Sequence, residues 1–239
     1  MSSDTILFAG GAFIAALAAG LAGFAFALIA SALWLHVLPP AQAVPLIVAA
    51  GLSIHVVSLW KLRRTIRLDL LWPFLLGGVV GIPFGTMLLK GVDAATFRAV
   101  IGVFLVSYSL FALARPHLRC LDGGRLADGA IGAIGGVLGG AAGLSGVIPT
   151  IWCGLRGWDK DDQRGVYQPF ILVMHGLSLA SAGAAGLVDA QLGGLFAAAA
   201  IPLAIGTWAG LQLYALVDAQ QFRRILLVLL LISGGLLLL

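Results

Sequence analysis

GGVLGGAAGLSGVIPT, residues 135–150, interrupts an apolar segment with closely spaced glycines and a proline. Glycine lacks the Cβ atom that restricts other residues to a few backbone conformations, and Pro149 has no backbone N–H group. We therefore predict that one helix ends near Gly143-Leu-Ser-Gly146 and that a second helix begins just after it. The sequence GLAG at residues 20–23 predicts a similar break in the first apolar segment.

The composition around these two breaks is that of an integral membrane protein. Hydrophobic residues make up 61% of the 239 residues and charged residues only 10%, against about 25% in soluble domains. This composition excludes a soluble enzyme and a nucleic-acid-binding module, so no nucleic-acid partner is expected. The ten acidic residues are all aspartates at or near the ends of apolar runs, which argues against a carboxylate deep in the membrane.

Eight apolar segments follow one another along the chain. We predict that six of them are single transmembrane helices, because each has about the 20 residues that span a bilayer. The first and fifth segments, residues 5–38 and 127–155, contain the two breaks and are predicted to be helical hairpins. The six predicted transmembrane helices cover residues 41–60, 70–90, 94–114, 168–187, 192–214 and 219–239.

The two halves of the chain resemble each other at a spacing of about 124 residues. The window from Gly81 to Arg98 recurs between Gly206 and Arg223, including an aspartate and a Phe-Arg pair that lie between apolar segments. Duplicated membrane proteins of this kind are built from structural repeats. We therefore predict two repeats, residues 1–118 and 126–239, each with a re-entrant or broken helical hairpin and three transmembrane helices.

The distribution of positive charge predicts how the two repeats are oriented. If all eight segments crossed the membrane, the 14 Lys and Arg residues would divide equally between its two faces. If each hairpin enters and leaves on one side, every basic residue except Lys90 and Arg98 lies on one face, as expected for the cytoplasmic face. We therefore predict an all-α polytopic membrane protein with two inverted repeats and both termini outside the cytoplasm.

Two opposed helix breaks predict a binding site for a small anion. Each helix that restarts after a break presents unpaired N–H groups, and each such N-terminus carries about half a positive elementary charge. Ser145 adds a hydroxyl donor in the second break, where the first break has Ala22. The predicted substrate-binding residues surround the two breaks: Gly20, Ala22, Gly23, Phe24, Gly143, Ser145, Gly146 and Val147.

Four polar side chains are further candidates for substrate binding or for coupling to protons. His55 and His175 lie well inside predicted transmembrane helices, and imidazole can bind a proton near neutral pH. Arg164 and Gln168 stand where a predicted cytoplasmic loop enters the sixth segment, a place where a cation can attract anions. Structural roles are the alternative for these residues: an imidazole bonded to a nearby carbonyl, or a basic residue that orients the helix at the interface.

Other glycines recur every four residues, a spacing that is typical of close helix packing in membranes. They are Gly81 and Gly85, then Gly132, Gly136 and Gly140, then Gly206 and Gly210. No phosphate-binding loop, Cys/His metal spacing or hydrolase motif is present, so the sequence predicts no enzyme, no metal and no cofactor.

The glycine-rich run at residues 135–150 resembles the signature of the TauE/SafE family of membrane anion permeases. The charged loop at residues 159–164 and the similar ends of the two halves also resemble this family, so the likeness covers nearly the whole chain. The first break departs from the pattern, because GLAGFAF at residues 20–26 has fewer glycines and no proline follows. The resemblance implies transport of sulfite, sulfoacetate or another organosulfonate, often as export, across a prokaryotic inner membrane.

These features together predict a secondary transporter whose partners are a small anion and the lipid bilayer. The anion is expected between the two helix N-termini near the midplane, with alternating access as the mechanism. A passive anion channel would use the same site, and the sequence does not distinguish it from a carrier. A membrane enzyme acting on lipid phosphates would need acidic, basic or arginine groups at the breaks, which offer only Gly, Ala, Ser and Phe. Amino-acid export would need a buried acid to bind the amine.

Overall fold

The computed structural model describes residues 3–34, 37–38, 40–88, 94–114, 121–184, 186 and 188–238. Lys90, which is important to the predicted orientation, lies outside these residues. The regular structure within them is helical throughout, with a short 3-10 turn at Arg63–Thr65. The α-helices are α1 (Ser3–Ala22), α2 (Phe26–Trp34), α3 (Pro40–Leu62), α4 (Leu68–Leu88), α5 (Ala94–Ala114), α6 (Gly124–Ala142), α7 (Val147–Leu155), α8 (Lys160–Ala184), α9 (Ala190–Leu216) and α10 (Ala219–Leu237).

Both expected helix breaks are present, and a glycine with positive φ stands in each. Gly23, with φ +83°, lies between α1 and α2. Gly143, with φ +71°, ends α6 before α7 begins. The left-handed conformation costs other residues about 1–2 kcal/mol, and glycine adopts it without that cost. The local sequence is therefore what interrupts each helix.

Each short helix packs back along its longer neighbour, so both broken segments form hairpins. In the first hairpin, the indole N–H of Trp34 donates to the carbonyl oxygen of Phe8 at 3.1 Å, and the two rings stack 5.2 Å apart. In the second hairpin, the indole N–H of Trp152 donates to Oδ1 of Asp128 at 2.7 Å. An indole hydrogen bond thus joins the far ends of the two helices in each hairpin.

Four segments of the described chain are long and apolar enough to cross a membrane: Gln42–Thr65, Leu68–Gly85, Ala190–Leu216 and Gln220–Leu237. Large apolar side chains such as Phe84 and Trp208 are exposed on these helices, as expected for surfaces that face lipid. The chain is therefore an all-helical polytopic membrane protein.

One helix boundary differs clearly from the prediction. Helix α8 begins at Lys160 rather than near residue 168. Residues 160–163 are polar, so the apolar run does not include them, but the side chain of Asp159 accepts hydrogen bonds from the N–H groups of Asp161 and Asp162. This capping interaction starts the helix before its apolar part. As a result, Arg164 and Gln168 lie within a helix and not in a loop.

The helices of the two halves pair in equivalent ways. Helix α1 packs along α9 and α4 packs along α6, while α3 packs against α8 and α5 against α10. If α1–α5 are matched in order with α6–α10, the α1–α9 pair corresponds to the α6–α4 pair. The α3–α8 pair and the α5–α10 pair each correspond to themselves. The contacts between helices are therefore symmetric with respect to the two halves of the chain.

Glycines bring the backbones of these paired helices into direct contact, at the spacing that the sequence shows. A Cβ atom at Gly81 or Gly85 in α4 would overlap backbone atoms of α6. On the other side of the same interface, Gly132 and Gly136 face the backbone of α4. Gly206 and Gly210 in α9 face the backbone of α1 in the same way. These glycines therefore serve helix packing, as predicted.

We expect Gly210→Ala to lower the free energy of unfolding by about 2 kcal/mol, the typical cost of overpacking a well-packed interface. The added Cβ atom would overlap the carbonyl oxygen of Leu17 and lie 2.8 Å from Cα of Gly20, so the two backbones must separate. Thermal unfolding of the detergent-solubilised protein measures the effect. Gly235→Ala in α10 is the matched control, because a Cβ atom there has no neighbour within 4 Å. Equal melting temperatures for the two variants would contradict the close packing.

Candidate functional site

One face of α8 contacts both helix breaks. Arg164, Gln168, Ile171 and His175 follow one another at intervals of three or four residues, which places them on the same side of the helix. Arg164 contacts the first break and His175 contacts the second. At 1.5 Å per residue these two residues lie about 16 Å apart along the helix axis. The C-terminus of α1 and the C-terminus of α6 therefore contact α8 at two different positions along its axis.

At the first break, Arg164 and Tyr167 bind the carbonyl groups that end α1. Nη2 of Arg164 donates to the carbonyl oxygen of Gly20 at 2.6 Å, and Nη1 donates to that of Leu21 at 3.0 Å. The hydroxyl of Tyr167 donates to the carbonyl oxygen of Ala22 at 2.5 Å. The last carbonyl groups of a helix lack partners within the helix and carry partial negative charge. Helix α8 therefore neutralises the carbonyl end of α1.

The guanidinium of Arg164 is buried, and no carboxylate among the residues that the structure describes lies at salt-bridge distance from it. The carboxylate of Asp161 lies farther away and is hydrogen-bonded to the hydroxyl of Tyr214. Arg164 is 1% exposed, and its Nε atom donates to Oε1 of Gln168 at 2.7 Å. Its guanidinium carbon lies 4.2 Å from the centre of the Tyr214 ring. Carbonyl groups and an aromatic ring stabilise a cation but leave its net charge in place. Arg164 therefore places a buried positive charge beside the first break.

At the second break, His175 has the corresponding position. Its Nε2 atom lies 3.1 Å from the carbonyl oxygen of Gly143, which ends α6. His55 of α3 packs against His175 with ring centres 5.4 Å apart, and each residue is 1% exposed. Neither Nδ1 atom has a hydrogen-bond partner in the described part of the chain. The two histidines thus form one buried pair beside the second break.

The N-termini of α2 and α7, which follow the two breaks, contact each other between the C-termini of α1 and α6. A Cβ atom at Gly146 would lie 3.2 Å from Cβ of Phe24. Helix α7 begins without a side-chain cap, and the N–H groups of Ser145 and Gly146 donate to no other described residue. The N–H groups of Phe24 and Ala25 likewise have no acceptor within the described ranges. The hydroxyl of Ser145 is also fully buried and unpartnered there.

Two of the predicted site residues have roles other than presenting an N–H group. Gly20 belongs to the α1–α9 interface, where a Cβ atom would lie 2.6 Å from the carbonyl oxygen of Thr207. Ala22 contributes its carbonyl group to Tyr167. Val147 begins α7, and its N–H group makes only a long hydrogen bond of 3.4 Å to the carbonyl oxygen of Leu144. The N–H groups without a described acceptor are therefore those of Phe24 and Ala25 in the first break and of Ser145 and Gly146 in the second.

Sequence reasoning missed Tyr214, which links Arg164 to the start of α8. The hydroxyl of Tyr214 donates to Oδ1 of Asp161, and its ring faces the ammonium group of Lys160 at 4.9 Å. Nζ of Lys160 also donates to the carbonyl oxygen of Val217, at 2.6 Å. Helix α9 thereby holds the first turn of α8 in place. A tyrosine at the end of an apolar run carries no sequence signal for this role.

A basic residue of the predicted cytoplasmic loop also fixes the start of α8. Nη1 of Arg67 lies 2.5 Å from Oδ1 of Asp162, and its Nη2 lies 3.1 Å from Oδ2 of Asp69. Hydrogen bonds to Asp69 and Asp162 raise the pKa of Arg67 above its usual value, so it stays charged. The backbone N–H of Arg67 donates to the carbonyl oxygen of Gly165. The helix that presents Arg164 is thus held from two sides.

Comparison with known proteins identifies the family of the chain. The family model described as Sulfite exporter TauE/SafE matches residues 7–237, a range that includes both helix breaks and nearly all of both hairpins. No curated protein and no solved structure matches the chain. The family match covers nearly the whole length of a helical membrane protein whose two breaks lie in contact. The chain therefore belongs to the sulfite exporter TauE/SafE family, a family of membrane anion exporters.

Proposed function

We propose that this protein is a secondary transporter that exports a small sulfur oxyanion, such as sulfite, sulfoacetate or another organosulfonate, by alternating access. Family membership supports an anion exporter. The observation that carries the proposal is the contact between the N-termini of α2 and α7, close to a buried guanidinium that has no carboxylate within salt-bridge distance in the described part of the chain. We place the anion in this region, in contact with Ser145 and the N–H groups around Phe24 and Gly146.

The electrostatics of the two breaks favour an anion over a cation. An anion that leaves water for a buried site needs compensating charge and hydrogen bonds. The two open helix N-termini contribute about one positive charge together, and Arg164 contributes a full one. The carbonyl ends of α1 and α6 together carry about one negative charge, so the sum at the two breaks, with Arg164 included, is about one positive charge. The net potential between the two breaks is therefore positive.

The packing supports a proposal for which helices would move together in alternating access. Glycine contacts hold α1 of the first hairpin to α9, and α6 of the second hairpin to α4. Each hairpin is thus bound tightly to a helix of the other half of the chain. We propose that the moving bodies are α1–α2 with α9 and α6–α7 with α4, in place of one whole repeat moving against the other. The site lies where these two bodies meet.

Binding to the purified protein tests the proposed site. We expect calorimetry or thermal shift to detect at least one of sulfite, sulfoacetate, taurine, thiosulfate and sulfate. Ser145→Ala removes a buried hydroxyl at the site and is expected to weaken binding about tenfold, as loss of a hydrogen bond to a charged group does. Thr150→Ala is the matched control, because it removes another buried and unpartnered hydroxyl one turn further into α7. The proposed site is wrong if none of the anions binds or if the two variants bind equally.

A further inference from the structure

We infer that the His55–His175 pair binds a proton together with the transported anion, so that anion transport is coupled to proton movement. This inference rests on the proposed function, because it needs an anion at the two helix breaks. It goes beyond it by naming the coupling ion and the side chains that bind it. The two histidines come from α3 and α8 and meet only in the folded protein.

The hydrogen bonding of the pair leaves nitrogen atoms free to accept a proton. Nε2 of His175 lies 3.1 Å from a carbonyl oxygen, which requires a donated N–H group at Nε2. In the neutral ring Nδ1 then carries a free lone pair, and this atom has no partner among the described residues. Nδ1 of His55 is equally unpartnered. Because the ring centres are 5.4 Å apart, a positive charge on one ring disfavours a second proton on the other.

Near the pair, the described residues include no carboxylate at a distance that would balance an added positive charge. Arg164 lies on the same face of α8 as His175 and is itself positive. His175 contacts the backbone of Gly143 from α6 and of Gly51 from α3, with Phe26 of α2 beside them. No described carboxylate lies within salt-bridge distance of either ring. A protonated pair therefore lacks a negative partner until an anion binds.

The bound anion would supply that partner from a short distance. Ile171 lies on the same face of α8 and touches Gly146, and His175 follows it by about 6 Å along the axis. An anion beside Gly146 thus lies within one helical turn of the pair. Anion binding and proton binding then favour each other by the same factor, as linkage requires.

The coupled step balances in charge and in atoms. A proton from the solvent on the side to which the site is open forms an N–H bond at one Nδ1 atom as the anion binds. After the site opens to the other side, the anion leaves, the N–H bond breaks and the proton leaves with it. Because anion and proton bind together and leave together, they move in the same direction, and a singly charged sulfonate crosses with one proton without net charge. Net export then occurs when the outward gradient of the anion exceeds any opposing proton gradient.

Calorimetry of sulfoacetate binding measures the proton directly. Titrations in two buffers with different ionisation enthalpies give the number of protons taken up, and both acidic groups of sulfoacetate stay ionised between about pH 6 and pH 8. We expect the wild-type protein to take up as much as one proton per anion and to bind sulfoacetate about tenfold more tightly at the lower pH. Binding without proton uptake would overturn the inference and leave the proposed function intact.

Substitutions separate the pair from other sources of protons. The double variant His55→Gln/His175→Gln keeps amide donors but accepts no proton, so it is expected to bind sulfoacetate without proton uptake. His55→Gln alone is expected to take up less than the wild type. Ser58→Ala is the control, since it removes a buried unpartnered hydroxyl of α3 near His55 and leaves both imidazoles in place. Unchanged uptake in the double variant overturns the inference, whereas no binding of any tested anion to the wild type overturns the proposed function with it.

Discussion

Arg164→Gln is expected to reduce the affinity for sulfoacetate at least about tenfold, because a full charge about 10 Å from the anion contributes about 1.7 kcal/mol at an effective dielectric constant of about 20. Glutamine keeps a planar amide that can still donate to a carbonyl of α1, but it removes the buried positive charge that faces the breaks. The same change leaves the carbonyl groups of Gly20 and Leu21 with fewer donors, so a lower melting temperature is also expected. Calorimetric titration of the purified variant measures the affinity.

Two further variants separate the charge of Arg164 from its role at the end of α1. Tyr167→Phe removes the hydrogen bond to the carbonyl oxygen of Ala22 and keeps the charge, so the affinity for sulfoacetate is expected to stay close to that of the wild type. Arg164→Lys keeps a positive charge without the planar fork that reaches two carbonyl groups, so an intermediate affinity is expected. Wild-type affinity in Arg164→Gln would show that the guanidinium serves the fold and not the anion.

Gly23→Ala is expected to produce the second large effect, a loss of about 3 kcal/mol in the free energy of unfolding together with loss of anion binding. Part of this cost is the positive φ of +83°, which disfavours alanine by about 1–2 kcal/mol. The remainder is steric, since a Cβ atom would lie 2.9 Å from Cε2 of Tyr167 and 3.2 Å from Nε of Arg164. Both side chains that hold the first break would have to move.

Gly124→Ala is the matched control for this prediction. Gly124 also has positive φ, at +63°, but a Cβ atom there has no neighbour within 4 Å. We therefore expect this variant to show only the backbone cost and to bind anions normally. Thermal unfolding and sulfoacetate titration of both variants provide the comparison. If Gly23→Ala unfolds at the same temperature as Gly124→Ala, the close packing of Tyr167 and Arg164 against Gly23 does not contribute to the free energy of unfolding.

The helix breaks illustrate what could be predicted from neighbouring residues alone. Apolar runs of known length and clusters of glycine predict where helices begin and end, because these properties depend on the local chain. The structure confirms the interruptions at Gly23 and Gly143, and the family match agrees with the resemblance of residues 135–150. The orientation of the two repeats and the location of both termini outside the cytoplasm stay predictions.

The candidate site shows what a sequence could not reveal. Gly20 resembles a site residue by its place in GLAG, yet the neighbouring backbone of α9 requires a glycine there. Arg164 resembles a loop residue by its distance from the apolar run, yet it is buried against α1. At the repeat spacing of about 124, Ala43 and Val44 match Tyr167 and Gln168. The repeat therefore does not predict that side chains of α8 bind the C-terminus of α1.

The sequence by itself determined that this chain is a helical membrane protein with two glycine breaks, because hydropathy and backbone freedom are properties of short stretches. Only the tertiary structure decided that Arg164 binds the end of α1, 144 residues away in the chain, and that His55 lies against His175. Contacts between distant residues depend on which helices pack together and at what depth. In this protein the packing depends on backbones that approach at glycines, and it brings one face of α8 against both breaks.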